Sequence, residues 1–278
     1  MSFSERMTEA VSRYGPLCVG IDPRFEMLPK AFQKLEPGEA FEKFGLKILD
    51  LIRPYCAVVK PQSAFFELFG PEGMRAMQAV LKAARELGFV TILDAKRGDI
   101  ASTATAYAEA AFGPAWNADS LTVNPYLGRD AIEPFISVAR SATPPRGLFV
   151  LVRTSNPGSG LFQNLNCDGQ PHYRKVAEAV LEWNGNNGDV GAVVGATHPN
   201  ELVELRKALP GVWLLVPGYG AQGGTAAEAK LAYEPIGVRA VVNSSRGVVF
   251  PFHPDDPDWE LKVVAAAAKA QTELKPDL

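Results

Sequence analysis

The chain has 278 residues, 47% of them hydrophobic and 21% charged, an ordinary globular composition with enough apolar residues to close one large core. The formal net charge is −3 with no block of like charges, which argues against a nucleic-acid groove or an anionic membrane surface and leaves a small molecule as the default partner. Cys18, Cys56 and Cys167 are scattered, odd in number and form no C-x-x-C, so neither a disulfide framework nor a zinc site is indicated.

The opening residues, MSFSERMTEAVSRYG, lack the charged-then-apolar layout of a signal peptide, and no apolar run approaches membrane-spanning length. A cytoplasmic protein is expected. One domain over residues 1–278 is expected as well, because α/β barrels run to this length undivided.

In chain order, apolar runs of strand type appear at LCVGI (17–21), CAVVK (56–60), FVTIL (89–93), SLTV (120–123), LFVLV (148–152), VGAVVGA (190–196), VWLLV (212–216) and VRAVV (238–242). The runs are continuous rather than alternating, as in parallel strands covered on both faces. Between them lie helical stripes: Phe41, Phe44, Ile48 and Ile52; Met74, Met77, Leu81 and Ala84; Val176, Ala179, Val180 and Trp183. Pro71 and Pro199 mark helix starts, where a missing N–H is no loss.

Eight strand–helix units can close into a (β/α)8 barrel or open into a doubly wound sheet. The first strand is followed by Asp22-Pro23-Arg24 and not by the G-x-G-x-x-G of a dinucleotide fold, which favours the barrel. In a barrel the active site lies at the carboxyl ends of the strands.

Those ends read Asp22, Lys60, Asp94 with Lys96, Asn124, Thr154-Ser155, Thr197, PGYGAQGG and Asn243-Ser244-Ser245-Arg246. Polar turn chemistry alone accounts for Asn124 and Thr197. Lys60 closes an apolar run, where an unpaired ammonium is costly, although a lysine snorkelling to the rim has the same sequence. Asp94 and Lys96 fall on one face of a strand by period-two alternation, and Asp99 falls in the turn or first helical turn beyond. An ion pair plus a helix N-cap is the plainer reading of that trio. The glycine-rich PGYGAQGGT and the NSSRG after the last strand stand where barrels build phosphate sites, with Gln222 as a donor and Arg246 as a bidentate partner. His172, His198 and His253 have no ligand spacing, and Ser155 lacks a G-x-S-x-G elbow.

These segments resemble the orotidine 5′-phosphate decarboxylase family, and within it the longer bacterial subgroup. The family's D-x-K-x-x-D-I signature matches Asp94-Ala95-Lys96-Arg97-Gly98-Asp99-Ile100, supported by GID (20–22), VVKPQSAFFE (58–67), VNPYLG (123–128), TSNPGS (154–159) and PGYGAQGG (217–224), in the right order along the chain. The resemblance implies decarboxylation of orotidine 5′-phosphate to uridine 5′-phosphate without metal or organic cofactor, in a homodimer whose active sites lie at the interface. Carried over by position, Lys60, Asp94, Lys96 and Asp99 resemble its charged network, with Lys96 as proton donor to carbon 6. Asp99 and Thr103 then reach the partner's site. Asp22 resembles a ribose-hydroxyl ligand, Ser155 the pyrimidine-edge contact, Gln222 and Arg246 the phosphate ligands, and Ser245 stands where the family often has glycine with a backbone N–H contact. Ala101-Ser102-Thr103 replaces the proline and asparagine common in shorter relatives, and the segment from Ser155 to Gly169 is longer than theirs.

Two other readings fit the barrel. A magnesium-dependent phosphosugar enzyme, such as a hexulose-phosphate synthase, shares the Asp-x-Lys-x-x-Asp strand but resembles a site with a carboxylate where Lys60 stands. A barrel that only binds uridine nucleotides has no need of two buried Lys–Asp pairs.

Overall fold

The computed structural model describes residues 1–220, 223–235 and 237–276. Among these, eight parallel strands pair each with the next in sequence: β1 (Leu17–Ile21), β2 (Val58–Pro61), β3 (Val90–Arg97), β4 (Ser120–Val123), β5 (Gly147–Arg153), β6 (Val190–Val194), β7 (Leu214–Val216) and β8 (Ala240–Ser244). Pairing of Leu17 with Val242 and of Cys18 with Asn243 joins β1 to β8 and closes the ring. This is the (β/α)8 barrel expected from the alternation of apolar runs and helical stripes.

Strand parity sorts the side chains. Leu17, Val19, Ile21, Val59, Leu93, Leu121, Val123, Leu148 and Val150 join the outer core beneath the helices. Their alternates Cys18, Val58, Val90, Ile92, Phe149, Val193, Trp213, Leu215 and Val241 form a second cluster that fills the barrel interior. Both faces are apolar, which is why the runs are continuous. Lys60, Asp94 and Thr122 continue the inward parity at the carboxyl ends of β2, β3 and β4. Parity makes them the polar upper layer of an otherwise apolar interior.

The amino-terminal end is closed by the helix Phe3–Tyr14, started by a Ser2/Glu5 capping box. Phe3 packs edge-on against Phe149, Met7 joins the interior cluster, and Trp213 Nε1 donates to Ser4 Oγ at 3.0 Å. Beside it, buried Asp119 accepts from Arg6 and Arg146 and from the backbone and hydroxyl of Thr91. Charges at this closed end pair with one another, which leaves the open end for chemistry.

Several strand boundaries lie further along the chain than the apolar runs imply. β3 continues through Asp94-Ala95-Lys96-Arg97, β2 starts at Val58 and β8 at Ala240, because the backbone ladder carries on where the side chains turn polar. Val238 and Arg239 are outside β8, with φ of 59° and 48°. The first two helical stripes are buried or packed on the core, in Pro37–Ile52 and Gly70–Glu86. The third is rotated. The helix His172–Asn184 buries Tyr173, Ala177, Val180 and Asn184, with Val176 and Trp183 on the flank. Tyr173 is drawn inward under the Arg153 guanidinium, and Asn184 Oδ1 accepts from Val190 N at 3.1 Å. Among the described residues no helix is long and apolar enough to cross a membrane.

Candidate active site

A cavity of about 650 Å3 opens at the carboxyl ends of the strands. Leu151, Val193 and Leu215, the inward residues of β5, β6 and β7, give it an apolar floor, and Lys60, Asp94, Lys96 and Thr122 give it one polar wall. Asp22, Ser155, Ser245 and Arg246 line it as well. Thus seven of the residues singled out from the sequence (Asp22, Lys60, Asp94, Lys96, Ser155, Ser245 and Arg246) are gathered from five different strand ends.

At the centre is Asp94, 5% exposed. Lys60 Nζ, also 5% exposed as a residue, donates to Oδ2 at 2.6 Å, and Lys96 Nζ donates to Oδ1 at 2.6 Å. The Lys96 side chain remains 45% exposed, so its ammonium spans the buried carboxylate and the open cavity. Lys60 is therefore a paired buried charge and not a rim lysine. Asp94 and Lys96 share the cavity as alternation implies, but the ladder between β3 and β4 shifts register between Leu93 and Arg97, and Lys96 has φ of 47°. Such a left-handed residue costs about 1–3 kcal/mol unless its surroundings hold it. Thr122 Oγ1 supplies the hold, accepting from Ala95 N at 3.0 Å and Lys96 N at 2.9 Å while donating to Asp94 Oδ1 at 2.9 Å.

Burial alone would push the Asp94 carboxyl up, but the Lys60 and Lys96 ammonium groups outweigh it and hold the carboxyl well below the usual carboxylate range. Burial likewise would push Lys60 down, and the attraction of Asp94 and Asp22 outweighs that and holds its ammonium above the usual lysine range. Below them, burial pushes the Cys18 thiol up to about 12, which leaves it a neutral packing group.

On the opposite wall β1 approaches the end of β8 so closely that a Cβ on Gly20 would meet Ser245 Oγ at 1.9 Å. The glycine of GID is thus a packing requirement that lets Ser245 enter the site. Asp22 follows and lines the cavity, and its Oδ1 is buried without a hydrogen-bond partner among the described residues. Tyr219 anchors the glycine-rich loop by donating to Glu273 Oε2 at 2.6 Å on the helix Trp259–Leu274. Gln222 lies outside the described residues.

Asp99 and Thr103 do not line this cavity. The helix Ala101–Phe112 has Ile100 at its N-cap with no side-chain cap, so Asp99 is not the capping residue; its Oδ1 accepts from Ile100 N at 2.8 Å. Exposed apolar side chains stand on the segments that follow β2, β3 and β4: Leu68, Ile100, Tyr126 and Leu127. Asn124 N donates to Arg97 O at 2.8 Å, and Arg97 pairs with Glu67, which ties the three loops together.

Other lining residues were given no role from the sequence: Arg24, Gln62, Thr122, Asn156, Gln163 and Asn243. Thr122 was legible in principle, since Ser120 and Thr122 alternate with Leu121 and Val123 within one strand. With Arg24 counted, four cationic side chains face two carboxylates among the described lining residues, in a chain whose formal net charge is −3. The cavity concentrates positive potential suited to a multiply anionic ligand.

The family model described as "Orotidine 5'-phosphate decarboxylase / HUMPS family" matches residues 15–250. The chain belongs to this family. It is 45% identical to the orotidine 5′-phosphate decarboxylase of Rhodopirellula baltica over 302 aligned positions, covering 99% of each chain. It is 41% identical to that of Roseiflexus castenholzii, covering 99% of this chain and 96% of the other. Among solved structures, the Leishmania donovani OMP decarboxylase superposes with a TM-score of 0.82 at 36% identity, covering 99% of this chain and 97% of that one.

Proposed function

We propose that this chain converts orotidine 5′-phosphate to uridine 5′-phosphate and carbon dioxide in pyrimidine biosynthesis; its relatives are named orotidine 5′-phosphate decarboxylases. The observation that carries the reading is the Asp94 carboxylate held between two ammonium groups at 2.6 Å each on the wall of a cationic cavity. Loss of the carboxylate breaks the bond to carbon 6 and leaves its electron pair in the ring plane, where ring carbonyls delocalise it poorly. Lys96 stabilises that charge through its ammonium and delivers its proton to carbon 6. Asp94 orients Lys96 and, as an anion beside the substrate carboxylate, makes a like-charge contact that departure of neutral carbon dioxide relieves. Lys60 keeps Asp94 ionised.

The remaining roles follow the same chemistry. Asp22 accepts from a ribose hydroxyl, which its unpartnered Oδ1 supports. Ser155 reads the pyrimidine edge, Arg246 and Gln222 take the phosphate, and the backbone N–H of Ser245 adds to that site. Asp99 and Thr103 serve the partner's site in a homodimer. Exposed Leu68, Ile100, Tyr126 and Leu127 on the segments after β2, β3 and β4 support this, since a second copy would cover those side chains. The chain is read as one cytoplasmic domain over 1–278, of the longer bacterial subgroup.

A magnesium-dependent phosphosugar chemistry fits less well: the carboxylate a cation would need is already engaged by two ammonium groups, and Lys60 would repel the metal. The test is incubation of chelator-treated protein with orotidine 5′-phosphate, followed by absorbance. Loss of substrate absorbance with formation of uridine 5′-phosphate supports the reading; binding without conversion, or conversion only with added magnesium, overturns it.

A further inference from the structure

Beyond the strand ends, the long segment after β5 is tied down by one buried cation. Arg153, the last residue of β5, is 2% exposed. Its guanidinium pairs with Glu201 on the helix Pro199–Ala208, lies over the Tyr173 ring at 5.6 Å, and donates from Nη1 to Ser159 Oγ at 2.8 Å and to Gln163 Oε1 at 3.1 Å. A guanidinium has only donors, so Gln163 must turn its carbonyl toward Arg153. The same oxygen accepts from Thr154 N at 3.0 Å. The amide nitrogen is thereby directed at Thr154 Oγ1, 2.8 Å away, and the Thr154 hydroxyl donates to Asn156 Oδ1 at 2.7 Å. The relay has one possible direction, set by a permanent charge.

Its effect is to fix Thr154 at both backbone and side chain, one residue before Ser155. From the other side, a Cβ on Gly195 would come within 3.0–3.1 Å of Ser155 Cβ, Cα and N, so Ser155 is wedged against β6. Gln163 also lines the cavity.

We infer that Gln163 is a positioning residue: the Arg153–Gln163–Thr154 relay sets Ser155 against the ligand's pyrimidine edge and thereby selects uracil over cytosine nucleotides. The inference rests on the reading of Ser155 as the base-edge contact. It also gives the extra length of the segment a use, since Gln163 closes a loop that a shorter chain could not.

The test is placed on partly buried Gln163, because removing Arg153 would leave Glu201 without its buried partner. Binding of uridine 5′-monophosphate and cytidine 5′-monophosphate is measured by calorimetry on the purified full chain and on Gln163→Ala and Gln163→Glu. In Gln163→Ala the uridine nucleotide weakens about tenfold, the worth of one lost hydrogen bond, and the cytidine nucleotide much less. Gln163→Glu keeps the acceptor for Thr154 N–H and Arg153, so it restores most of the preference even if its charge weakens both nucleotides alike. Equal weakening of both nucleotides in Gln163→Ala, or no change, overturns the inference while leaving the base-edge reading in place. A wild-type protein with no preference for the uridine nucleotide overturns both.

Discussion

Thr122 Oγ1 lies 2.9 Å from Asp94 Oδ1 and donates to it, while the same oxygen accepts the backbone N–H groups of Ala95 and Lys96. One hydroxyl therefore holds both the central carboxylate and the left-handed backbone of the lysine beside it. Thr122→Val keeps the shape and removes the hold. Steady-state kinetics should show kcat lowered about tenfold to a hundredfold, the scale of a misplaced reacting group, with KM nearly unchanged. A rise in KM at constant kcat would contradict this role.

The pH dependence of stability follows from the two displaced groups. Asp94 is held below its ordinary value, so its contribution is complete above about pH 4 and is lost only as pH falls through the lower folded value. Lys60 is held above its ordinary value, so its contribution is complete below about pH 10 and is lost only as pH rises through the higher folded value. Asp94→Asn leaves buried Lys60 without its main counter-ion and should cost about 3 kcal/mol or more by denaturant unfolding. That cost should be largest toward about pH 5 and shrink as pH rises toward about 9, because burial lowers the pKa of Lys60 once its main counter-ion is gone and the variant then sheds the buried proton. A cost that grows as pH rises through this window would contradict the buried pairing.

In the proposed reading Arg246 acts at a distance from the reacting carbon, through the phosphate. Arg246→Ala should lower kcat/KM for orotidine 5′-phosphate by about a hundredfold or more, the loss of a charge-assisted contact, and should change little for orotidine without phosphate. Comparable losses for both substrates would move Arg246 out of the phosphate site.

Asp99 and Thr103 are not among the residues that line their own cavity, which gives the proposed sharing of sites a direct consequence. Asp99→Ala and Lys96→Ala subunits, each inactive alone, should regain part of the activity when mixed, because a heterodimer contains one composite site with both residues intact. Verified heterodimers without activity would remove Asp99 from the partner's site.

The barrel was legible because its strands are apolar on both faces, and Lys60 because a charge within such a run demands a partner. Asp94 and Lys96 were legible by alternation, although the structure reaches the shared face through a register shift and a left-handed lysine that alternation does not encode. Thr122 escaped because a small hydroxyl inside SLTV looks like strand composition, and its inward parity is informative only once the barrel is closed. The helix after β5 was misphased for a related reason. Its buried face carries Tyr173 and Asn184, polar groups engaged with Arg153 and Val190 N, and apolar periodicity passes over them. Gln163 stands on a segment with no periodicity, where only hydrogen-bond geometry reveals a role.

The central claim is that the Lys96 ammonium, held by Asp94, protonates carbon 6. Its most direct measurement is single-turnover conversion of orotidine 5′-phosphate by Lys96→Ala, alongside calorimetric binding of uridine 5′-monophosphate to the same protein. Turnover lost by several orders of magnitude, with the protein folded and still binding the nucleotide, is the expected result. Conversion at a rate near that of the unaltered chain would contradict it.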